Sequence, residues 1–215
     1  MSAGLVSAAP VLYEDFTTNP ATKPGPLLTN ATVGAWYNST AANYNSTDGT
    51  FRLVRPGNDG GISSLIYVLD GSSMESGQQY AVNLDFSFAN DGASTLLLDL
   101  WDVDYGTGDI VARTFKWSGG NDLPDLATTG DATATELVDT ATWFGGNAGS
   151  VVSTNFVYDG SGDIMLRIMG ARSQNQYFRV DVSSVEVIAI PEPATLGMVT
   201  AVGGAILFIR RRFMM

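Results

Sequence analysis

Short runs in which apolar and polar residues alternate, separated by Gly, Ser, Asn and Asp, make up most of the chain. A period of two places alternate side chains on opposite faces of an extended strand. In Ala81-Val82-Asn83-Leu84-Asp85-Phe86-Ser87-Phe88 the even positions are apolar and the odd ones mostly polar, which predicts a strand with one wet face. Leu96, Leu98 and Leu100 line one side of the next run, with Asp99 and Trp101 on the other. A turn through 102–109 leads to Val111, Phe115 and Trp117, alternating with Thr114 and Lys116, and 164–168 repeats the pattern. The run from Tyr177 to Val182 changes parity across Ser183-Ser184 before Val185-Glu186-Val187, which predicts a bulge or bend. Further strands are predicted at 51–54, 63–69 and 156–158. Before the C-terminal tail, no run carries a helical stripe.

Eight or so short strands with loop spacers imply an all-β fold. Large antiparallel sheets need a second sheet over their apolar face, so the expected architecture is a two-sheet sandwich, a jelly roll, over residues 10–189. A chain of this length builds a sizeable core in one domain. No fixed-period repeat appears, which disfavours a solenoid or a propeller.

The tail breaks the pattern. Ile190-Pro191-Glu192-Pro193 precedes an uncharged apolar run, 194–209, and then Arg210-Arg211-Arg212. The prolines fix φ and disfavour helix before each, so the segment around Glu192 is expected to be extended and accessible. At ~1.5 Å per residue the apolar run makes a helix of roughly 24 Å, short for a hydrocarbon core of ~30 Å. Thr195, Phe213 and snorkelling arginines make up part of the difference. A single transmembrane helix at 194–209 with the arginines in the cytoplasm follows from the positive-inside rule, which leaves everything before Pro191 outside. The alternatives are a buried C-terminal helix, which Gly203-Gly204 and the missing polar face disfavour, and an ordinary single-span anchor.

Pro-Glu-Pro, one hydrophobic helix and a terminal arginine cluster, in that order, resemble the PEP-CTERM sorting signal of Gram-negative bacteria. The resemblance covers about 190–212. It implies that Pro191, Glu192 and Pro193 are read by an exosortase, a membrane-embedded cysteine transpeptidase. It also implies transient insertion in the inner membrane, with Arg210, Arg211 and Arg212 inside, and delivery to the cell surface or extracellular matrix. The logic parallels lipid-anchor signals whose hydrophobic tail is discarded. At the other end, Leu5-Val6-Ser7-Ala8-Ala9 reads as the remnant of a signal peptide, 1–9, with the mature protein starting near Ala9 or Pro10.

Composition removes several classes of function. The chain has 11 basic and 22 acidic residues and a net charge of −11, which disfavours nucleic acid as a partner. With no histidine and no cysteine there is no Ser-His-Asp triad, thiol nucleophile or zinc-thiolate site, and no disulfide. A carboxylate pair for glycoside hydrolysis remains conceivable, but Glu14, Glu75, Glu136 and Glu186 form no local cluster. The reading is therefore non-catalytic.

Two kinds of ligand remain. Asp102, Asp104 and Asp109 sit in a loop with Gly106 and Gly108, and oxygen ligands on a flexible turn suit calcium, although the spacing departs from an EF-hand. The segments 12–16 and 180–185 resemble the first and last strands of carbohydrate-binding jelly rolls of the galactose-binding-like type. That resemblance implies a structural calcium joining Glu14 or Asp15 to Asp181. Solvated turn residues are the alternative for both sets. Trp36, Tyr37, Trp101, Tyr105, Trp117 and Trp143 lie on polar parities or beside loop residues and are candidates for a sugar platform, since aromatic rings fit the apolar faces of pyranoses. The alternative is that the tryptophans fill the core. The sequons at Asn30, Asn38 and Asn45 mark a polar surface stretch. The expected protein is a surface or matrix protein, structural or adhesive among polysaccharides, with a calcium-dependent carbohydrate-binding module as the second reading and a glycosidase as the third.

Overall fold

The computed structural model describes residues 9–20, 22–24, 27–29, 32–38, 42–55, 63–88, 95–111, 126–144, 150–171 and 178–191. Its strands are β1 (Leu12–Glu14), β2 (Lys23–Pro24), β3 (Leu27–Thr29), β4 (Trp36–Asn38), β5 (Ala42–Asn45), β6 (Thr50–Arg55), β7 (Ser63–Leu69) and β8 (Gln79–Phe88). They continue as β9 (Thr95–Asp104), β10 (Asp109–Val111), β11 (Ala127–Thr128), β12 (Thr133–Phe144), β13 (Ser150–Val157), β14 (Asp163–Ala171) and β15 (Phe178–Ala189). Among the described residues the helical structure is a single 3₁₀ turn, Gly71–Ser73, capped by Asp70, whose carboxylate accepts from the Ser72 N–H.

The first sheet has the order β13-β8-β15-β6-β5, with β1 also paired to β15. The second has the order β12-β9-β14-β7-β4-β2, and a small third sheet joins β11, β10 and β3. The ladders are nested in sequence: β6 pairs with β15, β7 with β14, β8 with β13 and β9 with β12, all antiparallel. Alternate pairs fall in opposite sheets, and the β15·β8 and β14·β9 ladders join them. A long antiparallel ribbon rolled in this way is a jelly roll, as the alternation predicts.

The core between the large sheets is built from the alternating positions. Val82, Leu84 and Phe86 of β8, Leu96, Leu98 and Leu100 of β9, and Ile164, Leu166 and Ile168 of β14 are all buried in it. On β15 both Val180-x-Val182 and Val185-x-Val187 point inward, because the register against β8 shifts between Val182 and Ser184. The bulge predicted at the serine pair is where the parity changes. Phe16 closes one part of this core at φ 51, with its ring 5.6 Å from Trp36 and 5.8 Å from Phe51. A left-handed phenylalanine is strained. It is held by Glu14, which accepts from the Phe16 N–H, and by Asp15, which accepts from the Thr17 N–H and hydroxyl.

One expectation is corrected. The second side of β9 is not wet: Leu97, Asp99, Trp101 and Val103 are buried along with Leu96, Leu98 and Leu100. The second sheet is covered on both faces, and Ile110 and Leu126 belong to the apolar cluster on its outer side. The expected strand residues Phe115 and Trp117, the segment 1–8 and the tail from 192 lie outside the described residues. Among the described residues no helix is long and apolar enough to cross a membrane.

Candidate functional site

Antiparallel partners share a face, so the ladders of the second sheet define rows across its outer side. One row runs Glu136, Trp101, Met165, Val68, and the next runs Asp99, Arg167, Ile66, Tyr37. Tyr37, Ile66, Trp101, Val103 and Met165 form one apolar cluster with Ile110, Leu126 and Ala132, and Tyr105 packs against it. The structure thus brings Tyr37, Trp101 and Tyr105 together, although 64 positions separate Tyr37 from Trp101 in the sequence.

Polar chemistry is concentrated in the same place. Arg167 Nε lies 2.9 and 3.0 Å from the two oxygens of Asp99, and a second guanidinium nitrogen also holds Asp99 Oδ2. Both side chains are buried, and the guanidinium carbon is 5.9 Å from the centroid of the Trp101 ring, within reach of a cation–π contact. The Tyr37 hydroxyl accepts from the Thr32 N–H at 2.6 Å. Four buried side-chain polar groups among the described residues lack a partner, and two of them, Trp101 Nε1 and the Tyr105 hydroxyl, belong to this cluster; the others are the hydroxyls of Thr50 and Ser63. Burial pushes the Tyr105 hydroxyl far above the ordinary phenol range, and the nearby Asp163 and Tyr37 add to the shift. Unpaired buried donors are uncommon in folded proteins and mark places where something else completes the hydrogen bonding.

The other candidate aromatics fall elsewhere. Trp36 faces the main core, 4.7 Å from Tyr67 between ring centroids. The Trp143 side chain and all of Trp117 lie outside the described residues.

Neither set of candidate calcium ligands is brought together. Asp102 accepts from the Ser161 hydroxyl at 2.7 Å, and burial raises its carboxyl above the usual range. Asp104 accepts from the Gly106 N–H, while Asp109 meets Thr129 through its backbone. The loop is organised instead by Asp131, whose Oδ1 accepts from both the N–H and the hydroxyl of Thr107 at 2.7 Å. Asp131 was not among the candidates, because its partner lies across a turn that only the topology places beside it. Asp181 is occupied by two arginines: Arg52 Nε reaches Oδ1 at 2.9 Å and Arg179 Nε reaches Oδ2 at 2.7 Å. Asp48 bridges the same arginines on the solvent side, at 3.2 and 3.5 Å. Among the described residues no group of three acidic side chains is arranged to hold a metal ion.

An open pocket of about 430 Å³ lies at one end of the sandwich, lined by Asp70, Gly71, Tyr158, Ser161 and Asp163 among others. The Tyr158 hydroxyl donates to the Gly162 carbonyl at 2.8 Å. Burial raises its pKa, and the charges of Asp102, Asp163, Asp159 and Asp70 raise it further.

No protein-family profile matches the chain, and no curated protein matches it in sequence. Solved structures do resemble it. One, described as "CBM4 structure and function", is 11% identical with a TM-score of 0.49, over 82% of this chain and 97% of that one. The CBM22-1 xylan-binding domain from Paenibacillus barcinonensis Xyn10C is 7% identical, with a TM-score of 0.47 over 87% of this chain and 98% of that one. TmCBM61 in complex with beta-1,4-galactotriose is 12% identical, with a TM-score of 0.38 over 80% and 99%. Identities this low leave the ligand to be argued from this chain's own side chains.

Proposed function

We propose that this chain is an exported, non-catalytic, glycan-binding protein that adheres within an exopolysaccharide matrix through the outer face of its second sheet. Its tail, in this reading, is a PEP-CTERM signal that anchors the exported chain in the inner membrane until an exosortase-type enzyme processes it for the cell surface or matrix. The observation that carries the binding function is the convergence of Tyr37, Trp101 and Tyr105 on one face with two donors that have no partner. Tyr37 and Trp101 are buried there with Ile110 and Leu126, so the reading requires that packing to give way to the glycan. Aromatic rings cover the apolar face of a pyranose, while an indole N–H and a phenol O–H donate to its oxygens. The ligand favoured by charge is a neutral glycan. The protein carries −11, and on this face Arg167 is neutralised by Asp99.

The absence of histidine and cysteine from the sequence supports a non-catalytic role, as does the engagement of Asp99 by Arg167, which removes it from any pairing with Glu136 in glycoside hydrolysis. Calcium is not needed in this reading, since Asp181 is balanced by arginines. The test is isothermal titration of the full chain with xylohexaose, cellohexaose and an alginate oligomer, repeated with Trp101→Phe, which keeps a ring and loses the N–H. Binding of a neutral oligomer, weakened about tenfold by the substitution, is expected for one lost hydrogen bond of roughly 1.4 kcal/mol. Binding of none of the three oligomers, or binding that ignores Trp101, overturns the assignment.

A further inference from the structure

We infer that β13, the last strand of the first sheet, is a self-pairing edge through which two copies of this chain join, each continuing the sheet of the other. The inference stands apart from the glycan reading, which concerns the second sheet. β13 pairs with β8 along one side, and among the described residues no strand pairs with its other side. An open edge is a template for further pairing, and sheets ordinarily guard it with charge, proline, bulges or shortness.

The other ends of the two large sheets carry such guards. β2 is only Lys23 and Pro24, and β5 has four residues. β12 is long, but it contains Glu136 and Asp139, and its register against β9 shifts between Glu136 and Val138 and again between Val138 and Ala141. β13 has none of these guards. It runs for eight residues in unbroken register against β8, without proline or glycine, inside a stretch, 140–158, that holds no charge. Val157 on this strand is 54% exposed, one of two large apolar side chains so exposed among the described residues.

Backbone direction decides which groups the edge offers. The Tyr158 N–H donates to the Gln78 carbonyl, whereas the Gln79 carbonyl turns away from β13 to accept from Ile190. Hydrogen-bonded pairs alternate along an antiparallel ladder, so the N–H and C=O groups of 151, 153, 155 and 157 point away from β8. An antiparallel second copy on a two-fold axis at Thr154 sets Val157 opposite Val151 and Asn155 opposite Ser153, and all of these groups are then paired. The same patch serves both copies, as a two-fold dimer requires, and this symmetry selects a second copy as the occupant. With no charge in the run, two chains of net charge −11 meet here without like charges opposed.

The chain has no cysteine, so a thiol placed on β13 reports the register directly. On the axis, Thr154 faces its own copy in a non-hydrogen-bonded pair, with Cα atoms about 4.5 Å apart and within disulfide range. Under mild oxidation Thr154→Cys in the full chain should give at least about tenfold more linked dimer than Asn155→Cys, whose counterpart lies diagonally across the ladder at about 7–8 Å. Asn155→Pro removes an outward N–H and leaves the β8 ladder intact, and Val157→Lys adds a charge at an exposed position. Each should weaken wild-type dimerisation, measured by sedimentation, at least about tenfold. In the wild type, the amides of Ser153 and Asn155 should gain about tenfold protection from hydrogen exchange on concentration, while those of Thr154 and Phe156, bonded to β8, stay unchanged. Equal crosslinking of the two thiols, or a dimer that survives Asn155→Pro, would put the contact on another surface and overturn the inference. A monomer at every concentration would do the same. Ser153 and Asn155 amides protected equally at all dilutions would mean that something other than a second copy covers the edge, and the inference would be lost.

Discussion

Arg167 and Asp99 stand directly opposite each other on β14 and β9, at 2% and 0% exposure, with the guanidinium holding both carboxylate oxygens. Desolvation offsets much of what such a pair gains, but leaving one member behind is costly. Asp99→Ala should therefore destabilise the protein by about 3–5 kcal/mol, whereas Asp99→Leu combined with Arg167→Met should cost far less. Urea denaturation of the three proteins gives the comparison. A single substitution that costs under about 1 kcal/mol would show the pair to be hydrated rather than sealed.

The second acid–base group is open at one side. Asp181 is nearly buried between Arg52 and Arg179, whose side chains are about a quarter exposed, while Asp48 is half exposed. Asp181→Ala should cost about 2 kcal/mol and Asp48→Ala less than about 1 kcal/mol, the smaller effect fading in high salt. Because arginines take both oxygens of Asp181, EDTA and added calcium should leave the melting temperature of the wild type unchanged. A rise in Tm with calcium would reinstate the cation site.

Asp102 gives the pH dependence a sign. Its folded pKa is raised, chiefly by burial, so the native state binds this proton more tightly than the unfolded chain does. Its stabilising contribution is complete below the ordinary value of about 3.9 and is lost as pH rises through the folded value. Asp102→Asn keeps an acceptor for the Ser161 hydroxyl and removes the titration. Its Tm relative to wild type should climb from about pH 4 toward neutrality. Exposed Asp15, Asp70, Asp131 and Asp159 shift downward through hydrogen bonds to nearby hydroxyls and N–H groups, so they act in the opposite sense below the ordinary carboxylate range. A constant difference in Tm across the series would contradict the burial of Asp102.

Gly71 and Gly77 make a matched pair. A Cβ on Gly71 would lie 2.0 Å from the Gly162 carbonyl oxygen and 2.5 Å from the Tyr158 hydroxyl, and a backbone carbonyl in a strand-end turn has little room to give. Gly77, at φ 82, has nothing within 4 Å of the added carbon. Gly71→Ala should cost about 1–3 kcal/mol or more through overpacking. Gly77→Ala should cost roughly 1–2 kcal/mol from its left-handed backbone alone. Thermal melts rank the two, and a reversed order would show that the chain around Gly162 yields easily.

The tail is tested by intact mass on protein from the native cell surface. Wild type should have lost the mass beyond the Pro-Glu-Pro segment, and Glu192→Ala should retain it. An uncut tail in both proteins would make the apolar run a permanent anchor.

Much of the main core was legible because β8, β14 and β15 follow the period-two rule, including the slip at Ser183-Ser184. The covered outer face was harder. Asp99 and Trp101 look like wet positions when a strand is assumed to bury one side, and what covers them arrives from Ile110 and Leu126 on a separate layer. A signal was nevertheless present: Leu96-Leu97-Leu98 and Ile164-Met165-Leu166 are continuous apolar runs, the mark of a strand buried on both faces. The partners of Asp181 and Thr107 depend on cross-strand register and on two adjoining turns. No local spacing encodes Arg52 beside Asp181 or Asp131 beside Thr107, whereas Arg179, two residues before Asp181 on the same strand face, follows from the period-two rule.

The nested ladders also decide how the domain would bear a pull from its C-terminal end. Ile190 still donates to the Gln79 carbonyl, so the tail departs directly from β15, which has β8 on one side and β6 and β1 on the other. Tension along β15 meets three ladders in shear, and their hydrogen bonds must fail together rather than one after another as they would in peeling. A protein tethered at Pro191 while its opposite sheet grips a polymer would be loaded through a strand that is laddered to three others.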